Sequence, residues 1–241
     1  MQRILMMNTA KVLSLIGVLA LTSTAVTAEE VGGAGAAAFS PAETLLWRTD
    51  HLANIDKPRE LRYQFTKRGL LEESIDDRVY LTVVDVHEDG MKDTEIDFFS
   101  GERKQFMPPQ KNVRGNPVLG FYLQGDVYEM DRLTNGNWRY FHRRLKYALA
   151  DGAEVTPITF DYNGNEVDGH QIRFAPYVND PKRPLFEEYA DKQYTIILSE
   201  EIPGSLYQIR TVVPGKTEDG LEMGEPLIEE TLTFVGVVDT E

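Results

Sequence analysis

Apolar side chains alternate with polar ones in the segments Leu61–Phe65 and Val79–Val86, and this two-residue period constrains the fold more than any other feature of the sequence. Because successive side chains of a strand point to opposite faces of a sheet, the period predicts long strands that bury one face. Turn residues at Gly90 and Gly101 predict that these strands follow one another as an antiparallel meander.

The pattern changes to that of helices between residues 117 and 150. Asn116-Pro117 is a helix start, with a capping side chain before a proline at the first helical position. Asn135-Gly136 tolerates the left-handed conformation that ends many helices, and Asn137 can cap a second helix. We therefore predict a pair of helices inserted between strands.

Strands resume after the helical pair. Asn163-Gly164 is the strongest short hairpin signal in the chain and joins residues 158–162 to 166–174. Further strands are predicted at 194–198, 206–213 and 229–238. The predicted fold class is α+β, mainly antiparallel β: a curved sheet or half-barrel with a helical insertion, residues 117–150, that covers one face. Residues 40–241 are predicted to form a single domain.

The N-terminal segment has the features of a secretory signal peptide. Arg3 and Lys11 supply a basic region, residues 12–21 form an apolar core, and the small residues at 25–28 predict cleavage after Ala28. The apolar core is shorter than the ~18–20 residues that a spanning helix needs. We predict export to a bacterial periplasm, no membrane span after cleavage, and a flexible Gly/Ala-rich tether at residues 29–39.

Charge and cysteine content exclude several classes of protein. The chain has 25 Lys+Arg and 39 Asp+Glu, which gives a formal net charge of −14. A nucleic-acid partner is not expected, because phosphate binding needs a dominant basic surface. The chain has no cysteine, so disulfides, thiolate metal sites and a lipid anchor on cysteine are excluded.

The sequence predicts no catalytic residue, no cofactor and no metal site. Its four histidines fall on different predicted elements without metal-ligand spacing, and no serine lies in a nucleophile elbow. The carboxylates between Asp85 and Asp97 straddle a turn and alternate between two faces, so a solvated turn explains them better than a metal site. A site assembled in space stays open from the sequence, and a hydrolase is the least favoured function.

A basic cluster on the second predicted helix contrasts with the acidic chain. Four permanent positive charges fall within eight positions: Arg139, Arg143, Arg144 and Lys146. Two interpretations stay open. The cluster can contact an anion, such as a phospholipid head group or an acidic partner, or it can form a solvated face that pairs with the chain's own carboxylates.

Aromatic residues are spread over nearly all the predicted elements. A packed core explains this distribution. The functional alternative is an apolar cavity between the sheet and its helical cover, able to hold an acyl chain. Under that alternative the predicted ligand-binding residues are Tyr122, Trp138 and Phe141.

The order of elements resembles the half-barrel of the periplasmic lipoprotein carriers LolA and LolB. The alternations at 61–65 and 79–86, the turns at Gly90 and Gly101, and the helical segment 117–150 carry the resemblance. It is a resemblance of layout, and no functional residue is carried over from those carriers. It implies a concave apolar face under a helical lid.

Two functions of different classes follow as hypotheses. The first is a non-enzymatic periplasmic binding protein with an apolar cavity for a lipid or for lipid-modified cargo. The second is an accessory protein that docks an acidic protein partner through the basic helix, residues 138–150, with no small ligand.

Overall fold

The computed structural model describes residues 38–216 and 224–240. The predicted signal peptide and most of the predicted tether lie outside the described residues. The α-helices in the described ranges are α1 (Pro41–Trp47), α2 (Pro117–Thr134) and α3 (Trp138–Asp151). The strands are β1 (Arg59–Arg68), β2 (Ile75–Val86), β3 (Lys92–Phe98), β4 (Gln110–Val113), β5 (Glu154–Tyr162), β6 (Asn165–Phe174), β7 (Gln193–Leu198), β8 (Leu206–Val213) and β9 (Ile228–Asp239).

The nine strands form one antiparallel sheet in the order β4-β3-β2-β1-β9-β8-β7-β6-β5. Strand β9 lies between β1 and β8 and so joins the two halves of the meander. The outer strands β4 and β5 do not pair with each other, which leaves the sheet open. Bulges at Arg62/Tyr63, Val83/Asp85 and Ile197/Leu198 increase its twist. The predicted fold class, a mainly antiparallel curved sheet with a helical insertion, is confirmed.

The core lies between the sheet and the helices. In β1 the side chains of Leu61, Tyr63 and Phe65 are buried on one face of the sheet, as the two-residue period predicts. Apolar residues of α2, among them Val118 and Met130, belong to the same buried cluster. Burial of each large apolar side chain contributes roughly 1.5–3 kcal/mol, so this shared cluster keeps the helical pair on the sheet.

Turn and cap residues adopt the conformations that the sequence predicts. The Asn116 side chain accepts a hydrogen bond from the backbone N–H of Val118 at 3.1 Å and so caps α2. Asn135 ends that helix in the left-handed conformation, with φ of 49°. Asn163 and Gly164 both have positive φ, 54° and 79°, as a tight two-residue hairpin between β5 and β6 requires.

Strand β4 has no counterpart among the strands predicted from the sequence. Its four residues, Gln-Lys-Asn-Val, are polar or half-exposed and lack the alternation that marks a half-buried strand. It forms because it pairs with β3 at the sheet edge, where Lys92 faces Val113. A long-range pairing of this kind leaves no local signal.

Candidate functional site

A cleft of about 580 Å³ lies beside the edge strand β5. Three segments border it: α1 with the turn that follows it, the β5–β6 hairpin, and the β7–β8 connection. This volume falls in the range of small-molecule sites. Its apolar lining is formed by Leu45, Pro157, Ile158 and Leu198, and its polar lining includes Asp168, His170, Ser199, Glu200 and Glu201. None of residues 117–150 lines it, so the cleft lies away from the cavity predicted under the helical insertion.

Gly169 allows the hairpin to approach the β7–β8 connection. A side-chain carbon at this position would lie 2.6 Å from the carbonyl oxygen of Leu198, so only glycine fits without a shift of backbone. On either side of this contact, the Ser199 hydroxyl donates to the carbonyl of Asp168 at 2.6 Å, and the backbone N–H of Asp168 donates to Glu201 at 3.0 Å. These bonds hold two walls of the cleft at a fixed separation.

The third wall is fixed by the buried residue His51. Its Nε2–H donates to the carbonyl of Leu45 at 2.7 Å, and its Nδ1 accepts from the backbone N–H of Asn116 at 3.1 Å. Burial lowers the pKa of His51, and the acceptor role of Nδ1 requires the neutral ring. Ser205 donates its hydroxyl to the carbonyl of His51 at 3.0 Å, which joins this wall to the β7–β8 connection.

A second notable feature is a cluster of ionised side chains buried between α2 and the sheet. Lys192 precedes β7, and its side chain is 2% exposed. Its ammonium group pairs with Asp126 of α2, and the other carboxylate oxygen of Asp126 accepts from the Tyr194 hydroxyl at 2.5 Å. Lone buried charges are costly, so these three groups stabilise the fold only as a set.

The same cluster continues to Lys67 of β1. Its ammonium group lies 2.5 Å from Glu129, 2.6 Å from Glu72 and 3.2 Å from Glu230. Glu129 belongs to α2 and Glu230 to β9, so the cluster ties the helix to the middle of the sheet. Three of its carboxylates, those of Asp126, Glu129 and Glu230, face only two lysines at its centre.

This imbalance is expressed in the pKa values of the two glutamates. Burial and the neighbouring charge of Glu129 raise the pKa of Glu230 to about 7. Burial alone would raise the pKa of Glu129, but the ammonium groups of Lys192 and Lys67 outweigh it and lower that pKa to about 2. The pair of glutamates therefore retains a proton at a pH where two free glutamates would have lost both, and that proton offsets the excess negative charge of the cluster.

We predict that Glu230 makes the protein less stable as pH rises from about 4.5 to above 7. The folded chain binds the Glu230 proton more tightly than the unfolded chain, so this stabilisation is complete below pH 4.5 and is lost as pH passes the folded pKa of about 7. The slope contributed by one proton is at most about 1.4 kcal/mol per pH unit. Urea unfolding at several pH values measures it.

Two neutral substitutions are compared to isolate this contribution, because the lowered pKa of His51 changes the stability with the opposite sign as pH rises. Glu230→Gln should flatten the loss of stability between pH 5 and 8. Glu229→Gln is the matched control, since Glu229 is partly exposed and pairs with Arg210. Equal pH profiles for the wild type and Glu230→Gln would show that Glu230 carries no such proton.

The buried carboxylates do not fit a metal site. Oxygens of Asp126, Glu129 and Glu230 lie within 4.8 Å of one another, a spacing that a cation could use. However, Lys192 and Lys67 already contact these carboxylates and supply the positive charge that an ion would bring. Within the described residues, the arrangement is that of an internal ion cluster.

The residues predicted to bind a ligand lie in or against the core. Tyr122 of α2 is buried against the sheet side of that helix. This burial and the carboxylates of Glu230 and Asp126 raise the pKa of its hydroxyl. Phe141 is fully buried, with its ring centre 5.1 Å from that of Phe186. Trp138 is half-buried and packs on Tyr128, with ring centres 5.7 Å apart. Their predicted role in ligand binding stays a prediction, and none of them lines the cleft.

The predicted anion-contacting residues separate into two groups. Arg144 is half-buried and forms an ion pair of 2.6 Å with the buried carboxylate of Asp180. Arg139, Arg143 and Lys146 are exposed along the outer face of α3, and none has a salt bridge to another described residue. The structure thus leaves three of the four available for an external anion.

The ion cluster was not predicted from the sequence, although part of its signal was present there. Lys67 continues the inward alternation of Leu61, Tyr63 and Phe65, and Glu230 holds the matching position two residues before Leu232. A charged residue at an inward position of a strand indicates a buried partner. The partners on α2 could not be named, because they depend on how the helix is placed over the sheet.

The fold and the cleft define the chain as an open, curved antiparallel half-barrel with helices on one face. No family model and no curated protein matches it. Among solved structures, the chain is similar to the lipoprotein LppX of Mycobacterium tuberculosis, at 13% identity and a TM-score of 0.32, covering 81% of this chain and 94% of that one. It is also similar to a LolA superfamily protein of Nitrosomonas europaea, at 7% identity and a TM-score of 0.22, covering 85% and 95%.

The structure itself has the layout that carries the resemblance in the sequence, an antiparallel meander with the helices α2 and α3 inserted between β4 and β5. Likenesses at such identities and TM-scores carry no argument about function. Within the described residues, no helix combines the length and the apolar character needed to cross a bilayer.

Proposed function

We propose that this chain is an exported, periplasmic binding protein that holds an amphipathic small molecule in the cleft beside β5. The observation that carries the proposal is the cleft itself, an open groove of about 580 Å³ bordered by three segments that hydrogen bonds fix in place. Export rests on the signal peptide predicted at residues 1–28.

The lining of the cleft favours a particular chemical class of ligand. Its apolar side, formed by Leu45, Ile158 and Leu198, suits a hydrocarbon chain. The polar side carries the carboxylates of Asp168, Glu200 and Glu201 and no lysine or arginine among the lining residues. A lipid or lipid-modified cargo with a cationic or neutral head therefore fits better than an anionic one.

Three polar side chains of the cleft, those of His51, Ser199 and Ser205, are held by backbone groups, which suits binding more than catalysis. Both ring nitrogens of His51 are engaged with backbone groups. The hydroxyls of Ser199 and Ser205 donate to backbone carbonyls, so neither is paired with a histidine base. A nucleophile needs such a base within hydrogen-bond distance to be activated.

Dodecylamine and dodecanoate test the proposal, because they share a chain length and differ in the sign of the head-group charge. Below their aggregation concentrations, dodecylamine should bind in isothermal titration, and dodecanoate should bind at least about tenfold more weakly, a difference of about 1.4 kcal/mol. Glu200→Gln together with Glu201→Gln should weaken dodecylamine by about three- to tenfold, as expected for exposed charge pairs.

A substitution that fills the cleft is the second arm of the test. Ile158→Trp places a larger ring in the lining and should abolish dodecylamine binding, while Thr195→Trp, at a half-buried position outside the cleft, should leave it unchanged. Native mass spectrometry of the protein purified from a periplasmic extract should detect a retained amphiphile in the wild type only. If neither amphiphile binds, or if Ile158→Trp binds as well as the wild type, the cleft is not a ligand site.

A further inference from the structure

The outer face of α3 is a stripe of cations on an otherwise acidic protein. Arg139, Arg143 and Lys146 follow one another at i, i+4 and i+7 and are exposed, with His142 exposed beside them. The guanidinium of Arg139 lies 4.5 Å from the ring centre of Trp138, and that of Arg143 lies 5.6 Å from that of Tyr140. These aromatic contacts orient the cations, but they do not neutralise them.

The segment 178–186 extends this face. It packs on α3 through the Arg144–Asp180 ion pair and the contact of Phe186 with Phe141. It adds the ammonium group of Lys182, 4.6 Å from the ring centre of Tyr140, and the side chain of Leu185, which is 68% exposed. We call the joint surface of the exposed α3 residues, Lys182 and Leu185 the basic face.

Exposed apolar and aromatic groups border the cations. Tyr147 of α3 and Tyr128 of α2 are each about half exposed, and Val178 is also exposed. Tyrosine suits a membrane–water interface because its ring is apolar and its hydroxyl is polar. A lipid surface can accept such side chains and the cations together without a matching arrangement of partner residues.

We propose that the basic face docks the protein on an anionic phospholipid surface. Charge complementarity supports this occupant: the whole chain carries a net charge of −14, so an anionic bilayer repels most of its surface and attracts this region. Each lysine or arginine near such a surface strengthens binding by a comparable increment, and the four cations act together. The contact is reversible and fixes which side of the molecule faces the membrane.

Vesicle co-sedimentation at low ionic strength tests the proposal, with the processed protein purified from a periplasmic extract. Vesicles of phosphatidylglycerol and phosphatidylcholine should bind the wild type, and vesicles of phosphatidylcholine alone should not. The triple variant Arg139→Glu/Arg143→Glu/Lys146→Glu should bind at least about 100-fold more weakly. The matched control, Arg48→Glu/Arg78→Glu/Arg173→Glu, changes the net charge equally at exposed positions outside the basic face that also form no salt bridge to another described residue, and should bind no more than a few-fold more weakly.

Binding to a soluble polyanion separates membrane docking from attraction to negative charge alone. Leu185→Ser with Tyr147→Ser should weaken vesicle binding and leave any binding to poly-L-glutamate unchanged. Circular dichroism checks that each variant is folded. Failure of the wild type to bind anionic vesicles, equal losses in the two triple variants, or binding to poly-L-glutamate without binding to vesicles would each overturn the proposal. The cleft proposal stands or falls separately, since the titration with dodecylamine involves no bilayer.

Discussion

Lys192→Met will lower the free energy of unfolding by about 3–5 kcal/mol near neutral pH, the loss expected when one partner of a buried ion pair is removed. The Lys192 side chain is 2% exposed and Asp126 is 1% exposed, so water cannot replace the lost ammonium group. Methionine keeps an unbranched chain but leaves Asp126 with only the Tyr194 hydroxyl as a partner. Urea unfolding followed by circular dichroism measures the change.

The loss at Lys192 should also depend on pH. Without this lysine the central carboxylates exceed the remaining ammonium group by two charges, so they take up protons more readily. The difference between wild type and Lys192→Met should therefore be smaller at pH 5 than at pH 8. A second variant, Lys192→Met/Asp126→Leu, should recover part of the stability, because an apolar pair often replaces a buried ion pair without loss.

Lys146→Met is the matched control for Lys192→Met. Lys146 is exposed on α3, and its replacement should change the free energy of unfolding by no more than about 0.5 kcal/mol. A loss below about 1 kcal/mol for Lys192→Met, or a loss equal to that of Lys146→Met, would show that the cluster contributes little to stability.

Much of the fold could be predicted because its signals are local. The alternation in β1 and β2, the cap at Asn116 and the hairpin at Asn163-Gly164 each specify a conformation through residues adjacent in sequence. The antiparallel sheet and the helical pair follow from these signals. Strand β4 could not be predicted, since only its pairing with β3 makes it a strand.

The candidate site was less predictable, because its residues come from distant parts of the chain. Leu45, Ile158 and Leu198 meet only when α1, the hairpin and the β7–β8 connection are assembled. The ion cluster combines Lys67, Asp126, Lys192 and Glu230 in the same way. Composition indicated an apolar interior but could not distinguish a hollow beneath α2 from an interior that contains paired charges.

Phe141→Ala tests which side chains fill the space under the helices. Phe141 is fully buried, with ring centres of Phe186 at 5.1 Å, Tyr177 at 5.5 Å and Tyr140 at 6.0 Å. Removing a buried phenyl ring costs about 3–5 kcal/mol, and each aromatic contact adds to the loss. We expect a decrease of that size in the free energy of unfolding, measured by urea denaturation. Trp138→Ala on the same helix should cost less than about 2 kcal/mol, because Trp138 is half-buried.

The milder variant Phe141→Leu keeps most of the buried apolar volume and should remain folded, so it distinguishes a core residue from a ligand contact. If Phe141 serves only the core, Phe141→Leu will bind dodecylamine like the wild type, because the ring lies outside the residues that line the cleft. If Phe141→Leu is folded and loses dodecylamine binding while Ile158→Trp retains it, the ligand lies beneath α3. Phe141 would then be a ligand-binding residue, as the sequence predicts, and the site would lie beneath α3 instead of in the cleft.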